Sequence, residues 1–396
     1  MDMEGMPTMN TESARPARHT LRIHEFAQIA DVDIGLGDLT VLVGAQGTGK
    51  SLALQWLKVA LDGHHVVRAL RDAGHDVSQT RTLIDLVFGV GMGAAWRDDS
   101  SITFDGAKVD PGSLKKGRAE AEKLFFIPAH RSMLISDGWA SPFQKLSADT
   151  PVVARMFSQN LFDRFSARSA GPLFPVTRKL KKAYRARIEA AVFHGGSVSL
   201  EQDAQHAKRL KLIHGKAQLP FMTWTAGQRE FTPLLLGLYH LLPSTKQAKQ
   251  PGVDWVVIEE PEMGLHPEAI NVVLLLVLDL LWRGYRVVLS THSPHVLTAL
   301  WMLQRLAKAK ADWRLLCGAF GLGRSSSLRS VAEAALAKDY RVHLLAFAKD
   351  GKVRSTDISA LDPDAEAAAE SEWGGLTGYS SRFGEAVRAA VNEAAK

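Results

Sequence analysis

Cysteine is almost missing from this chain: one residue, Cys317, in 396. That excludes a disulfide framework and fits a reducing cytosol, so a cytoplasmic location is expected. Long apolar runs are missing too. The most apolar stretch, residues 272–282, is broken by Asp279 and is too short to cross a bilayer. Residues 1–20 contain charges and two prolines but no apolar block, so they read as a disordered tail and not as a secretory signal. No sustained heptad pattern is present, which excludes a long coiled-coil arm. What remains is ordinary globular composition, 46% hydrophobic and 23% charged, with net charge +6. This length accommodates one large α/β core and a smaller subdomain.

Strand-like and helix-like segments alternate. Residues 21–26, 31–34 and 39–43 read as strands, and a helical pattern covers 51–61. Residues 124–127 form another apolar strand, and 145–192 are helix-forming and rich in charge. Short β-like runs at 197–200, 209–213 and 219–224 precede a helix over 228–242. Strands 255–258 and 286–290 then flank a helix at 267–283. Such alternation implies a parallel, helix-covered sheet. A hairpin is expected near the C-terminus, with strands 342–347 and 352–358 joined at Asp350-Gly351.

Gly44-Ala45-Gln46-Gly47-Thr48-Gly49-Lys50-Ser51 satisfies G-x-x-x-x-G-K-[ST] at every position, between an apolar strand and a helix. Glycines let backbone N–H groups close around phosphate oxygens, and the helix start directs its positive dipole end at them. Lys50 is expected to reach the β- and γ-phosphates of ATP, and Ser51 to ligate Mg²⁺. Strand 255–258 ends in Glu259-Glu260-Pro261-Glu262. A carboxylate at such a strand end serves the metal and its neighbour orients the attacking water, roles that fall to Glu259 and Glu260. His292, at the end of strand 286–290, is placed to hydrogen-bond the γ-phosphate or that water. Thr225-Ala226-Gly227-Gln228 reads in two ways: a second anion cradle at a helix start, or a capped helix with Thr225 as N-cap.

In this order the motifs, together with Glu259-Glu260-Pro261-Glu262-Met263-Gly264-Leu265-His266-Pro267 and Ser290-Thr291-His292-Ser293-Pro294, resemble the ABC ATPase superfamily. Within it they are similar to the soluble SMC/RecF/OLD-like branch of AAA-family ATP-binding proteins. The resemblance implies an α/β fold: an ABC-type P-loop core with a parallel sheet, an N-terminal β subdomain and a basic helical insertion. It implies a homodimer or higher homo-oligomer in which Thr225, Ala226, Gly227 and Gln228 of one chain meet the γ-phosphate held by Lys50 of the other. It places His266-Pro267 in the loop joining the two sites. Phe126-Ile127-Pro128-Ala129-His130-Arg131 resembles a segment of this branch, which makes Arg131 a phosphate or interface contact; otherwise it is a surface arginine. The glutamine expected between P-loop and signature is open between Gln79 and Gln144. The branch further implies an ATP-driven switch that controls a separate effector, a toxin or nuclease, in prokaryotic anti-phage defence. The alternatives are a DNA-repair or chromosome-maintenance ATPase and a non-hydrolysing ATP-gated scaffold.

The expected divisions are a tail (1–20), an N-terminal ATPase lobe (21–144), a basic insertion (145–218), a C-terminal lobe (219–309) and a partner-docking extension (310–396). Between residues 145 and 223 there are 14 Lys or Arg against 5 Asp or Glu. That surplus exceeds the net charge of the whole chain, so the basic character is concentrated here. Arg178-Lys179-Leu180-Lys181-Lys182 with Arg185 and Arg187 is the densest part, a DNA or RNA contact or a solvated helix face. Asp357, Asp362, Asp364, Glu366 and Glu370 are weak metal candidates, and Trp373-Gly374-Gly375-Leu376 is a packing or docking turn.

Overall fold

A computed structural model describes residues 19–115, 121–135, 138–166, 169–176, 179–203, 207–243, 249–323 and 328–394. Arg168, Arg178 and residues 1–18 of the expected tail lie outside these.

Its frame is a ten-stranded sheet among the described residues, in spatial order β5-β4-β1-β2-β14-β13-β3-β12-β11-β6. The outer half is antiparallel: β1 (His19–Phe26), β2 (Ile29–Leu36), β4 (Trp96–Phe104) and β5 (Ala107–Lys108). The other half is parallel: β3 (Leu39–Val43), β12 (Arg286–Ser290), β11 (Trp255–Glu259) and β6 (Leu124–Ile127). Here side chains alternate between two buried faces. Val41, Val43, Val256, Ile258, Val287 and Leu289 enter one core, while Leu42, Val257 and Val288 enter the other. A strand buried on both faces must be apolar throughout, which explains the uninterrupted runs.

Helix α1 (Lys50–Asp72), with α2 (Thr80–Phe88) beside it, covers the second face. On the other lie α5 (Ala226–Leu241), α6 (Pro267–Trp282) and α7 (Pro294–Lys308). In the insertion, α3 (Val152–Ser166) packs Phe157 on Phe125 of β6, with ring centroids 6.0 Å apart. A separate antiparallel sheet follows in order β10-β9-β8-β7: β7 (Gly171–Phe174), β8 (Ser197–Gln202), β9 (Lys208–His214) and β10 (Ala217–Pro220). Helix α4 (Lys182–Ile188) lies between β7 and β8. The run expected as a strand to residue 224 ends at Pro220, and Phe221–Thr223 is a single 3₁₀ turn.

The C-terminal segment corrects two expectations. The hairpin forms as β13 (Tyr340–Phe347) and β14 (Val353–Asp357), but it is no appendage. β13 pairs parallel with the P-loop strand β3 and β14 with β2, so residues 310–396 complete the main sheet. Trp373 is buried, donates its indole N–H to Leu361 O (3.3 Å) and stands near Trp301; it packs. Around it are α8 (Trp313–Ala319), α9 (Arg329–Leu336), α10 (Ala368–Ser371) and α11 (Gly378–Ala394). Among the described residues no group of three or more His, Cys, Asp or Glu could hold a metal, so the carboxylates between 357 and 370 do not converge. No described helix is long and apolar enough to cross a membrane.

Candidate functional site

Parallel strands β3, β12, β11 and β6 all end at one edge of the sheet, and the four loops leaving them build the site. The first is the P-loop. Gly44, Gly47 and Gly49 have φ of 144°, 76° and 84°, which side chains with a Cβ rarely adopt. At Gly44 a Cβ would also stand 2.1 Å from Leu345 O of β13, so the C-terminal hairpin forms one wall of this loop. Lys50 Nζ donates to Gly44 O and Ala45 O, each at 2.9 Å, and Thr48 Oγ1 donates to Ala45 O at 2.8 Å. Gln28, in the β1–β2 turn, donates to Gly47 O at 2.7 Å. Burial lowers the Lys50 pKa; Glu260 and Glu262 oppose that shift.

The second loop leaves β11. Glu259 is 5% exposed, and its Oε2 accepts from the Ala129 amide at 3.1 Å. Burial raises its pKa, against the Ser51 hydroxyl and that amide. Its Oε1 is buried without a partner. An orphaned carboxylate oxygen beside a serine hydroxyl is a donor set that fits a hard divalent cation such as Mg²⁺.

Glu260 is one of the few non-glycine residues with positive φ, 41°. Its amide donates to Ser290 O at 2.9 Å, and its carboxylate lies 3.6 Å from His292 Nε2. Both side chains are about one-third exposed (32% and 31%), open to an incoming water. Glu262 Oε1 accepts from Thr291 Oγ1 and from the His292 amide, each at 2.7 Å. Glu262 therefore fixes the third loop, which carries His292. Sequence reasoning passed over it as a member of the motif without a task; its spacing from Glu260 was the available signal.

Arg131, in the fourth loop, is not a surface residue. It is fully buried, and its guanidinium donates to Pro128 O (3.3 Å), Glu259 O (3.1 Å), Glu260 O (3.4 Å) and Glu230 O (3.0 Å). Neither glutamine candidate reaches this edge. Gln79 precedes α2, and Gln144 lines a cleft of about 510 Å³ with His65, Asp72 and Glu122 at the far end of α1. That cleft contains no site residue, and the amide of Ala129 is what approaches Glu259.

Thr225 to Gln228 form the capped helix start. Gln228 N donates to Thr225 Oγ1 (3.3 Å) and Thr225 N to Gln228 Oε1 (3.2 Å), a reciprocal capping box. Gln228 Nε2 also donates to Val192 O of the insertion, at 3.2 Å. These residues line an open cleft of about 390 Å³ with His194, Gly264 and His266, and no P-loop residue shares it. His266 caps α6, so residues 263–266 do run from the glutamate pair to this cleft. Gly227 does not face the cleft freely. A Cβ there would meet Gly264 O at 3.0 Å, so the glycine is needed within the chain itself.

Several cations of the basic run are paired within the fold, some of them at its surface. Lys179 Nζ caps α5, donating to Tyr239 O (3.1 Å) and Leu242 O (2.9 Å). Lys181 pairs with buried Asp279 at 2.6 Å and lies over the Trp282 ring at 4.2 Å. Arg187 pairs with Glu268 at 2.9 Å, while Lys182 is exposed.

Residues 218–298 match the family model described as "AAA domain, putative AbiEii toxin, Type IV TA system". No curated protein matches the chain. Solved structures similar to it include an SmcHead bound to the C-winged helix domain of ScpA, at 13% identity and TM-score 0.44, covering 85% of this chain and 96% of that one. The SMC head domain from Thermotoga maritima aligns at 12% identity and TM-score 0.36, over 85% and 97%. An Smc head domain with an extended coiled coil, bound to the C-terminal domain of ScpA derived from Pyrococcus furiosus, aligns at 12% and 0.40, over 85% and 95%.

Proposed function

From an ABC/AAA-type P-loop core as premise, we propose that this chain binds ATP at residues 44–51, hydrolyses it with Glu260 as general base, and dimerises around the nucleotide. The observation that carries the reading is the convergence at one sheet edge of Lys50, Ser51, the orphaned Glu259 oxygen and the Glu260–His292 pair. Ser51 and Glu259 would hold Mg²⁺, which supplies charge neutralisation between the β- and γ-phosphates. Glu260 takes the proton of a water as its oxygen attacks the γ-phosphorus, and the bond to the β-phosphate oxygen breaks to leave ADP. His292, held by Glu262, orients that water and the γ-phosphate oxygen.

The second cradle completes the site only from another molecule. Its cleft shares no residue with the P-loop, and Thr225 and Ala226 are exposed at a helix start whose first N–H groups point outward. Two copies arranged head to tail bring each cradle to the other's γ-phosphate. ATP then acts as a switch between open and closed assemblies, and a separate effector would read that state. The matched model's description, which names a toxin of a type IV toxin–antitoxin system, supports an effector-linked role in defence over chromosome maintenance. The intrachain pairing of Lys179, Lys181 and Arg187 favours a protein effector over nucleic acid as the partner.

Glu260→Gln tests the reading. We expect ATP binding to persist, turnover to fall about 100-fold or more, and an ATP-bound dimer to accumulate in light scattering. Wild-type turnover in this variant would remove Glu260 as the base.

A further inference from the structure

The bonds of Arg131 join two parts of the chain that serve different nucleotides in the proposed dimer. One end of its guanidinium holds Glu259 O and Glu260 O, the backbone beneath the two carboxylates that act on the chain's own ATP. The Nε–H holds Glu230 O, in the second turn of α5, whose first turn is the cradle offered to the partner's ATP. Neighbouring Ser132 adds a short hydroxyl contact to the Glu230 carboxylate, whose other oxygen is 3.9 Å from Arg131 Nε.

A planar guanidinium is suited to this task, because its donors leave in fixed directions and cannot follow one carbonyl without shifting against another. The tie is also placed where movement has consequences. Glu260 sits in the left-handed region, a conformation for a non-glycine residue that persists only when its surroundings enforce it. Its amide donates to Ser290 O, and its carbonyl accepts from the Met263 amide at 3.1 Å and from Arg131 at 3.4 Å, the one side chain in this set. A displacement of α5 therefore reaches the Glu260 carboxylate through one side chain.

We propose that Arg131 is a positioning residue that couples the two ATP sites of the dimer: engagement of the α5 cradle on the partner's nucleotide sets Glu260 against the chain's own. This rests on the ATP-dimer reading above. The physical content is a reciprocal coupling between two sites through a shared rigid element.

Glu230→Gln removes the carboxylate charge beside Arg131 and Ser132 at the α5 end but leaves the bond to Glu230 O, while Arg131→Lys, which lacks the guanidinium fork, cuts the tie to the carbonyls on both sides. In the wild type, ATPase rate should rise more steeply than hyperbolically with ATP, with a Hill coefficient above 1. In Glu230→Gln the steepness should drop to about 1 and kcat fall about 10-fold, with ATP affinity and melting temperature retained. A mere loss of packing would not separate those readouts. Arg131→Lys should keep part of the wild-type rate and Arg131→Met about a hundredth of it, the usual weight of small misplacements at a reacting centre; where Arg131→Met does not fold, Glu230→Gln and Arg131→Lys decide. An ATP-driven dimer whose steepness and kcat survive both Glu230→Gln and Arg131→Lys overturns the coupling and leaves the dimer standing. Wild type that dimerises but responds hyperbolically overturns it equally. Absence of any ATP-driven dimer in Glu260→Gln overturns the dimer reading and the coupling with it.

Discussion

The chain has two loops that can receive phosphate, and they are built on different terms. The P-loop is complete in itself. Three glycines hold conformations that other residues avoid, β13 closes on it from the side, and Lys50 already donates to its own carbonyls where phosphate oxygens would come. The start of α5 is finished as ordinary protein: every polar group of its capping box is paired within the chain, and its glycine answers to the Gly264 carbonyl. The first loop is organised for a ligand it holds alone. The second is a stable helix end that becomes a ligand site only when something brings a phosphate to it. Under the proposed dimer, half-sites kept apart in this way would make assembly a condition of catalysis.

Lys50→Ala should break the stronger half with the largest effect. It removes the one cation inside the loop, a charge-assisted contact of about 3 kcal/mol, near a hundredfold in ATP affinity. Unchanged nucleotide affinity, by calorimetry on the folded variant, would detach the P-loop from function. A smaller effect sharpens the contrast between the site edge and the insertion. Lys181→Ala leaves buried Asp279 with only Arg283 and Tyr184, so thermal unfolding should show a loss of about 1–3 kcal/mol. Lys182→Glu, at an exposed position, should stay within about 0.5 kcal/mol and leave any salt-dependent nucleic-acid binding nearly as it was. If Lys182→Glu abolishes DNA binding at low salt while Lys181→Ala is neutral, the run is a nucleic-acid surface after all.

What was legible in the sequence follows the range of the interaction concerned. The P-loop, the glutamate pair and His292 depend on short spacings at strand ends, and the fold assembles them at one edge. The C-terminal hairpin was equally local, with its turn at Asp350-Gly351. Its insertion beside the P-loop strand was not, because parallel pairing leaves no signal in neighbouring residues: His343 bonds Gly35 O from 308 positions away. The pairing of the basic run was hidden for the same reason. Asp279 is 98 residues from Lys181 and Glu268 is 81 from Arg187, so the charges that neutralise the run are invisible where it is written. The setting of Arg131 could not be read, because side-chain type reports charge and not burial. Only the fold shows that four carbonyls, including those of Glu259 and Glu260, stand around it.

The central claim is that the two loops act together across a dimer, and mixing two inactive variants tests it most directly. Lys50→Ala disables one half-site. For the other, Ala226→Asp is preferable to a change at Gly227, because Ala226 is exposed and an acidic first-turn residue suits a helix N-terminus, whereas a Cβ at Gly227 would press on Gly264 O. The new carboxylate stands where the partner's γ-phosphate should arrive. Each variant alone should be nearly inactive, Ala226→Asp while still binding ATP. Mixed in equal amounts, they can form heterodimers with one intact composite site, and ATPase activity should rise above that of either variant alone, to about a quarter of wild type for independent sites and below that where the Arg131 coupling operates. Full activity in Ala226→Asp alone, or no recovery on mixing two folded variants, would mean that Thr225 to Gln228 are a helix cap and nothing more.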